Sequence, residues 1–95
     1  MDNVKLIYFN ANWSASCKAL NRQLNGMDFG LPMDTVNIDS NRALAEKYRV
    51  KTIPCVMLIE DDKEVDRAQG TIAPWLIKEM VSKMRERKYY SSSRD

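Results

Sequence analysis

Along the chain, two stretches are apolar at consecutive positions rather than at every second or third one. Val4 to Phe9 (VKLIYF) runs into Asn10-Ala11-Asn12, and Pro54 to Ile59 (PCVMLI) runs into Glu60-Asp61-Asp62-Lys63. Short apolar runs bounded by polar turn residues read as buried strands, and the second, the most apolar in the chain, as a central one. Pro54 can only begin its strand, because proline has no N–H to give to a ladder. Between the two runs the period changes. From Ala15 to Asn25, Cys17, Leu20 and Leu24 fall on one helical face, and Gly26 supplies the stop. Thr35 to Asp39 reads as a second short strand. Asp39 or Ser40 then caps a helix with Leu44 and Tyr48 on its inner face. Beyond the acidic turn, Val65 to Gln69 returns as an amphipathic hairpin partner. After Gly70, Pro74 suits a first helical turn, and Leu76, Ile77, Met80, Val81 and Met84 keep the 3.6-residue period.

The predicted order is β-α-β-α-β-β-α. Strands joined through helices must lie parallel, and the late hairpin adds antiparallel pairing to the same sheet. A central strand apolar throughout needs cover on both faces. The expected α/β fold is therefore a mixed four-stranded central sheet flanked by three helices.

Composition narrows the class without changing the fold. Ninety-five residues suit one domain with a modest core, and 44% hydrophobic with 29% charged residues is ordinary for a globular protein. No apolar run reaches the roughly 18 residues needed to cross a bilayer, so no membrane association is expected. MDNVKLIYF has no basic stretch ahead of its apolar part and no small-residue cleavage site, which argues against a signal peptide. Two cysteines in an unstapled chain fit a reducing, cytoplasmic setting. A net charge of +2 is too small to suggest a nucleic-acid partner. Lys/Arg are concentrated late, around Arg85-Glu86-Arg87-Lys88. The expected division is a domain over 1–88 and a flexible C-terminal tail over 89–95.

The candidate chemistry lies in Trp13-Ser14-Ala15-Ser16-Cys17, where a strand gives way to a helix. Three segments together resemble the thioredoxin family across about residues 4–84. LIYFNANWSASCKAL is similar to its strand-tryptophan-CxxC-lysine segment. VNIDSNRALAEKYRVKTIP is similar to the strand, helix and Ile-Pro loop that follow, and DKEVDRAQGTIA to its hairpin strand ending in glycine. The chain opens at the strand before the motif, without the family's leading strand and helix, and so is nearer the minimal, glutaredoxin-sized form. The resemblance implies a thiol–disulfide oxidoreductase that reduces disulfides of protein partners. Its reductant would be thioredoxin-reductase-like or glutathione-linked, and it would work as a monomer with no cofactor. By the same resemblance Ser14 holds the position of the nucleophilic cysteine and Cys17 that of the resolving one. Ile53-Pro54 is the cis-proline loop, and Trp13 and Gly70 border the same substrate groove.

The departures from the family pattern weigh equally. An exposed thiol at a helix N-terminus ionises readily, whereas a hydroxyl without a base does not, and the chain has no histidine. Ser14 leaves the chain inactive as it stands, whether it is an engineered exchange or a native residue. Serine is also a preferred helix cap, accepting from the amide of Ser16 or Cys17. Tyr8 and Thr35 stand where many members keep a buried aspartate and its lysine. Ala15-Ser16 replaces the common Gly-Pro. A redox-inactive peptide-binding module with the same groove is the alternative reading. Cys17 also reads as a small apolar residue on the inner helix face, and Cys55 as core packing, with a Cys17–Cys55 disulfide left open. Two cysteines and no histidine are too few soft ligands for zinc, so no metal is expected. Trp75 is expected to pack. Lys47, Arg49 and Lys51 read as a solvated loop before they read as a basic rim.

Overall fold

A computed structural model of the protein describes residues 3–93. The elements are β1 (Val4–Asn10), α1 (Ala15–Leu24), β2 (Met33–Asn37), α2 (Arg42–Lys47), β3 (Cys55–Glu60), β4 (Lys63–Gln69) and α3 (Pro74–Ser93). The sheet order is β2-β1-β3-β4, with β1 parallel to β2 and antiparallel to β3, and β3 antiparallel to β4. This is the expected mixed four-stranded sheet with three helices.

The two consecutively apolar runs are the two inner strands, which explains their pattern. Side chains alternate between faces along a strand, so a strand covered on both sides must be apolar at every position. Leu6, Tyr8, Val56 and Leu58 join Leu20, Phe29, Ile77, Met80, Val81 and Met84 on the face covered by α1 and α3. Ile7, Phe9, Cys55, Met57 and Ile59 join Ala45 and Tyr48 on the α2 face. Phe9, Leu6, Met57, Leu58 and Ile77 are fully enclosed. Truncating Phe9 to alanine there costs about 3–5 kcal/mol, the lost transfer energy plus the cavity left behind.

Several local expectations are corrected. β2 lies two residues earlier than expected, because pairing with β1 sets its register from Leu6↔Met33 to Asn10↔Asn37. The cap of α2 is Asn41, whose Oδ1 accepts from the Leu44 amide at 3.2 Å, rather than Asp39 or Ser40. Those two residues instead turn around Asn37, whose Oδ1 accepts from both of their amides. Trp75 does not pack: it is 63% exposed. At 100° per residue it lies roughly 200° around the helix from Ile77, which faces the core. The backbone of α3 continues to Ser93, through most of the segment expected as a tail, and residues 94 and 95 lie outside the described residues.

Candidate functional site

The loop after β1 delivers Trp13 and Ser14 to the start of α1. The Ser14 amide donates to the Ala11 carbonyl at 3.3 Å, and the Ser14 carbonyl accepts from the Lys18 amide at 3.1 Å. Ser14 keeps an extended backbone (φ −90°, ψ 117°), and its Oγ accepts from the Cys17 amide at 3.2 Å. Position 14 is therefore the helix cap, with its side-chain oxygen aimed at the amides that an α-helix leaves without internal partners. The first turn of α1 carries no acidic side chain, so nothing local offsets the positive end of the helix dipole.

Cys17 is 1% exposed and Cys55 fully buried, and both are free thiols. The open question of a Cys17–Cys55 disulfide is settled against it. Cys55 belongs to the cluster on the α2 face of β3, whereas α1 covers the other face. Burial pushes the Cys55 thiol up to about 11, partly offset by the positive charge of Arg67. That marks it as core.

Ahead of β3, the Ile53–Pro54 peptide bond is cis, with Ile53 half-buried and Pro54 buried. The Pro54 carbonyl accepts from the Gly70 amide at 3.0 Å, which joins the beginning of β3 to the end of β4. Gly70 has φ +84°, a conformation that any residue with a Cβ adopts only under strain. A pocket of ≈ 240 Å³ opens between α1 and the segment after β4, lined among others by Ser16, Leu20, Gln23, Gly70 and Ile72. Trp13 is 68% exposed, and its indole Nε1–H donates to Asp39 Oδ2 at 3.0 Å.

Beneath α1, Tyr8 is buried on β1 with its hydroxyl 2.7 Å from Asn21 Oδ1 and 3.1 Å from the Cys17 carbonyl. One phenolic proton serves these two acceptors. Burial, reinforced by the neighbouring Cys17, pushes the phenol up to about 12. Thr35 is its direct partner on β2, and both line an open depression of ≈ 420 Å³. Tyr8 thus ties strand to helix and stays neutral.

The sequence-predicted residues around the helix start fall in two groups. Ser14 and Cys17 share the first turn of α1, and Pro54 and Gly70 share a backbone hydrogen bond. Asp39, Asn21 and Arg67 are not among the expected site residues. The Asn37-x-Asp39 spacing of an Asx turn was an available signal for the first. Among the described residues, no group of three or more Cys, Asp or Glu side chains is placed to hold a metal ion. No described helix is long and apolar enough to cross a membrane.

Sheet order, helix placement, a capped start of α1 and a cis-proline leading into β3 define an α/β protein of the thioredoxin-fold class. The Thioredoxin family model matches residues 1–83. A thioredoxin of Chlamydia trachomatis is 43% identical over 68 residues, covering 68% of this chain and 67% of that protein. A thioredoxin of Bacillus subtilis is 29% identical over 86 residues, covering 86% and 83%. Among solved structures, thioredoxin from Trypanosoma brucei brucei superposes with a TM-score of 0.78 at 20% identity, covering 87% of this chain and 75% of that one. The chain belongs to the thioredoxin family.

Proposed function

We propose that this chain is a small cytoplasmic thiol–disulfide oxidoreductase that reduces disulfides of protein partners, held inactive by the serine at position 14. The supporting observation is the first turn of α1, where Ser14 Oγ already occupies the acceptor position that a thiolate would take over the Cys17 amide.

With a thiol at position 14, the helix amides stabilise its thiolate. That sulfur attacks one sulfur of the substrate disulfide, forming a mixed disulfide and expelling the other as a thiolate that takes up a proton. Cys17, on losing its proton, attacks the position-14 sulfur, closes a disulfide within the turn and releases the second substrate thiol. A thioredoxin-reductase-like or glutathione-linked reductant then returns two electrons and two protons. Trp13, Ile53, Pro54 and Gly70 border the groove that holds the substrate chain. Ser14 stops the cycle at its first step, because the hydroxyl is not ionised near neutral pH and no histidine exists to activate it.

The test is insulin-disulfide reduction by dithiothreitol with this chain and its Ser14→Cys variant. Acceleration by the variant alone supports the reading, and acceleration by neither overturns it. The neutral Tyr8–Thr35 pair favours a second reading, a redox-inactive module that binds peptide in the same groove. On that reading an extended peptide binds this chain and the Ser14→Cys variant equally, and neither turns over.

A further inference from the structure

The ladder between β3 and β4 slips by one residue at Leu58/Ile59. Leu58 faces Asp66, but Ile59 faces Glu64, so Val65 is the extra residue of a bulge. The slip has a consequence for charge. In a regular strand, residues three apart lie on opposite faces; one bulged residue puts Glu64 and Arg67 on the same face, the one that Met57 and Ile59 share with α2. There they form a two-point ion pair, Nε to Oε2 and Nη2 to Oε1, the latter at 2.8 Å.

Held this way, the Arg67 guanidinium reaches the segment after α2 and the end of its own strand. Its Nη2 donates to the Tyr48 carbonyl at 2.6 Å and its Nη1 to the Arg49 carbonyl at 3.5 Å. Both carbonyls lie where the chain leaves α2, and Arg49 takes φ +55° there, on the path that ends at cis Pro54. Nη1 also donates to Gln69 Oε1 at 3.4 Å, one residue before the Gly70 that holds the Pro54 carbonyl. One side chain therefore holds the backbone where the chain leaves α2 and also the side chain of Gln69, next to the Gly70 that bonds Pro54.

We propose that Arg67, aimed by the β4 bulge and locked by Glu64, is the positioning residue of the proline loop, fixing the backbone against which a partner peptide is laid. The role of that loop as a peptide platform rests on the function proposed above. Arg67 touches no reacting atom. It acts through the Tyr48–Pro54 connection and through Gln69, and only a planar fork with several fixed donors serves these acceptors at once.

Two measurements separate failure of this inference from failure of the function reading. The first uses the chain as it stands. Val50 donates to the Ala45 carbonyl and Gly70 to the Pro54 carbonyl, so their amides report the two segments directly. In Arg67→Met, both amides exchange with solvent about tenfold faster, while those of the β1–β3 ladder change by less than about twofold. Glu64→Gln, a milder change, moves the same two amides in the same direction, and Arg67→Lys does not restore them. Equal acceleration everywhere, or none, overturns the inference whatever the protein's activity. The second measurement uses the Ser14→Cys background. There Arg67→Met raises KM for insulin about fivefold with kcat unchanged, and leaves alkylation of the introduced thiol by iodoacetamide at its parent rate. An unchanged KM in an active Ser14→Cys protein also overturns it. An inactive Ser14→Cys protein removes the oxidoreductase reading and leaves the exchange data to decide on Arg67.

Discussion

The exposed indole of Trp13 is tethered to Asp39 by one hydrogen bond, Nε1–H to Oδ2 at 3.0 Å, across 26 residues of sequence. Asp39 is itself held in place, because its amide and that of Ser40 both donate to Asn37 Oδ1. Asn37 pairs with Asn10, the last residue of β1 and three residues before Trp13. A turn after β2 thus fixes the orientation of a tryptophan after β1, with water on most of the ring.

Asp39→Ala should release that ring without loosening the fold. The bond is exposed, so the stability cost stays below about 1 kcal/mol. In a Trp75→Phe background, where Trp13 is the only tryptophan, fluorescence anisotropy decay should gain a fast local component. An indole as restrained as in the parent would show that packing, not Asp39, holds it.

The cap at position 14 gives a second expectation. Ser14→Ala leaves the Cys17 amide without its acceptor and should destabilise the protein by about 1 kcal/mol, whereas Ser14→Gly should cost only a few tenths. Urea unfolding of the three proteins measures this order. Equal midpoints for serine and alanine would mean that Oγ contributes nothing as a cap, and that its place over the helix end is incidental.

How much of this was legible beforehand differs from element to element. β1 and β3 were plain, because burial on both faces leaves no polar position to blur the run. β2 was displaced, since the β-branched residues from Thr35 to Ile38 suggest a strand on their own, while pairing with β1 decides where it begins. Asp39, Ser40 and Asn41 are all good caps, and only the turn around Asn37 leaves the third one at the helix start. The outward position of Trp75 followed from the phase of Ile77 and Met80 but was overridden by the habit of burying tryptophan. The capping role of Ser14 was readable from the preference of serine for a helix start. Arg67 was not, because its role needs a bulge that reverses strand parity and a partner loop 18 residues away.

The two thiols should be silent in the native state. Cys17 and Cys55 are both almost wholly enclosed, and thiol reagents need access as well as ionisation. At neutral pH a disulfide-exchange dye should titrate neither thiol in buffer and both in denaturant. Prompt reaction of Cys17 in the folded protein would mean that the first turn of α1 opens readily, and would make it a working monothiol.

Alkaline pH should destabilise the protein through two buried acids. Cys55 moves from an ordinary value near 9 up to about 11, and Tyr8 from 10 up to about 12, burial being the main cause in each case. An acid whose pKa is higher in the folded state holds its proton there after the unfolded chain has lost it. Stability then falls with rising pH, because the folded state binds more protons. The loss attributable to Cys55 begins near pH 9 and ends near 11, and that of Tyr8 runs from about 10 to 12, whereas below pH 8 neither contributes a slope. Parent and variant share every other titrating group, so the informative quantity is the difference between them. Tyr8→Phe should cost about 1 kcal/mol at pH 7, since Asn21 and the Cys17 carbonyl lose a donor, yet flatten the decline above pH 10. Cys55→Ala should flatten the portion between 9 and 11. Urea midpoints measured from pH 7.5 to 11.5 give both slopes. A Tyr8→Phe curve parallel to the parent throughout would show that the phenol ionises as easily folded as unfolded, and that its place beneath α1 is open to water.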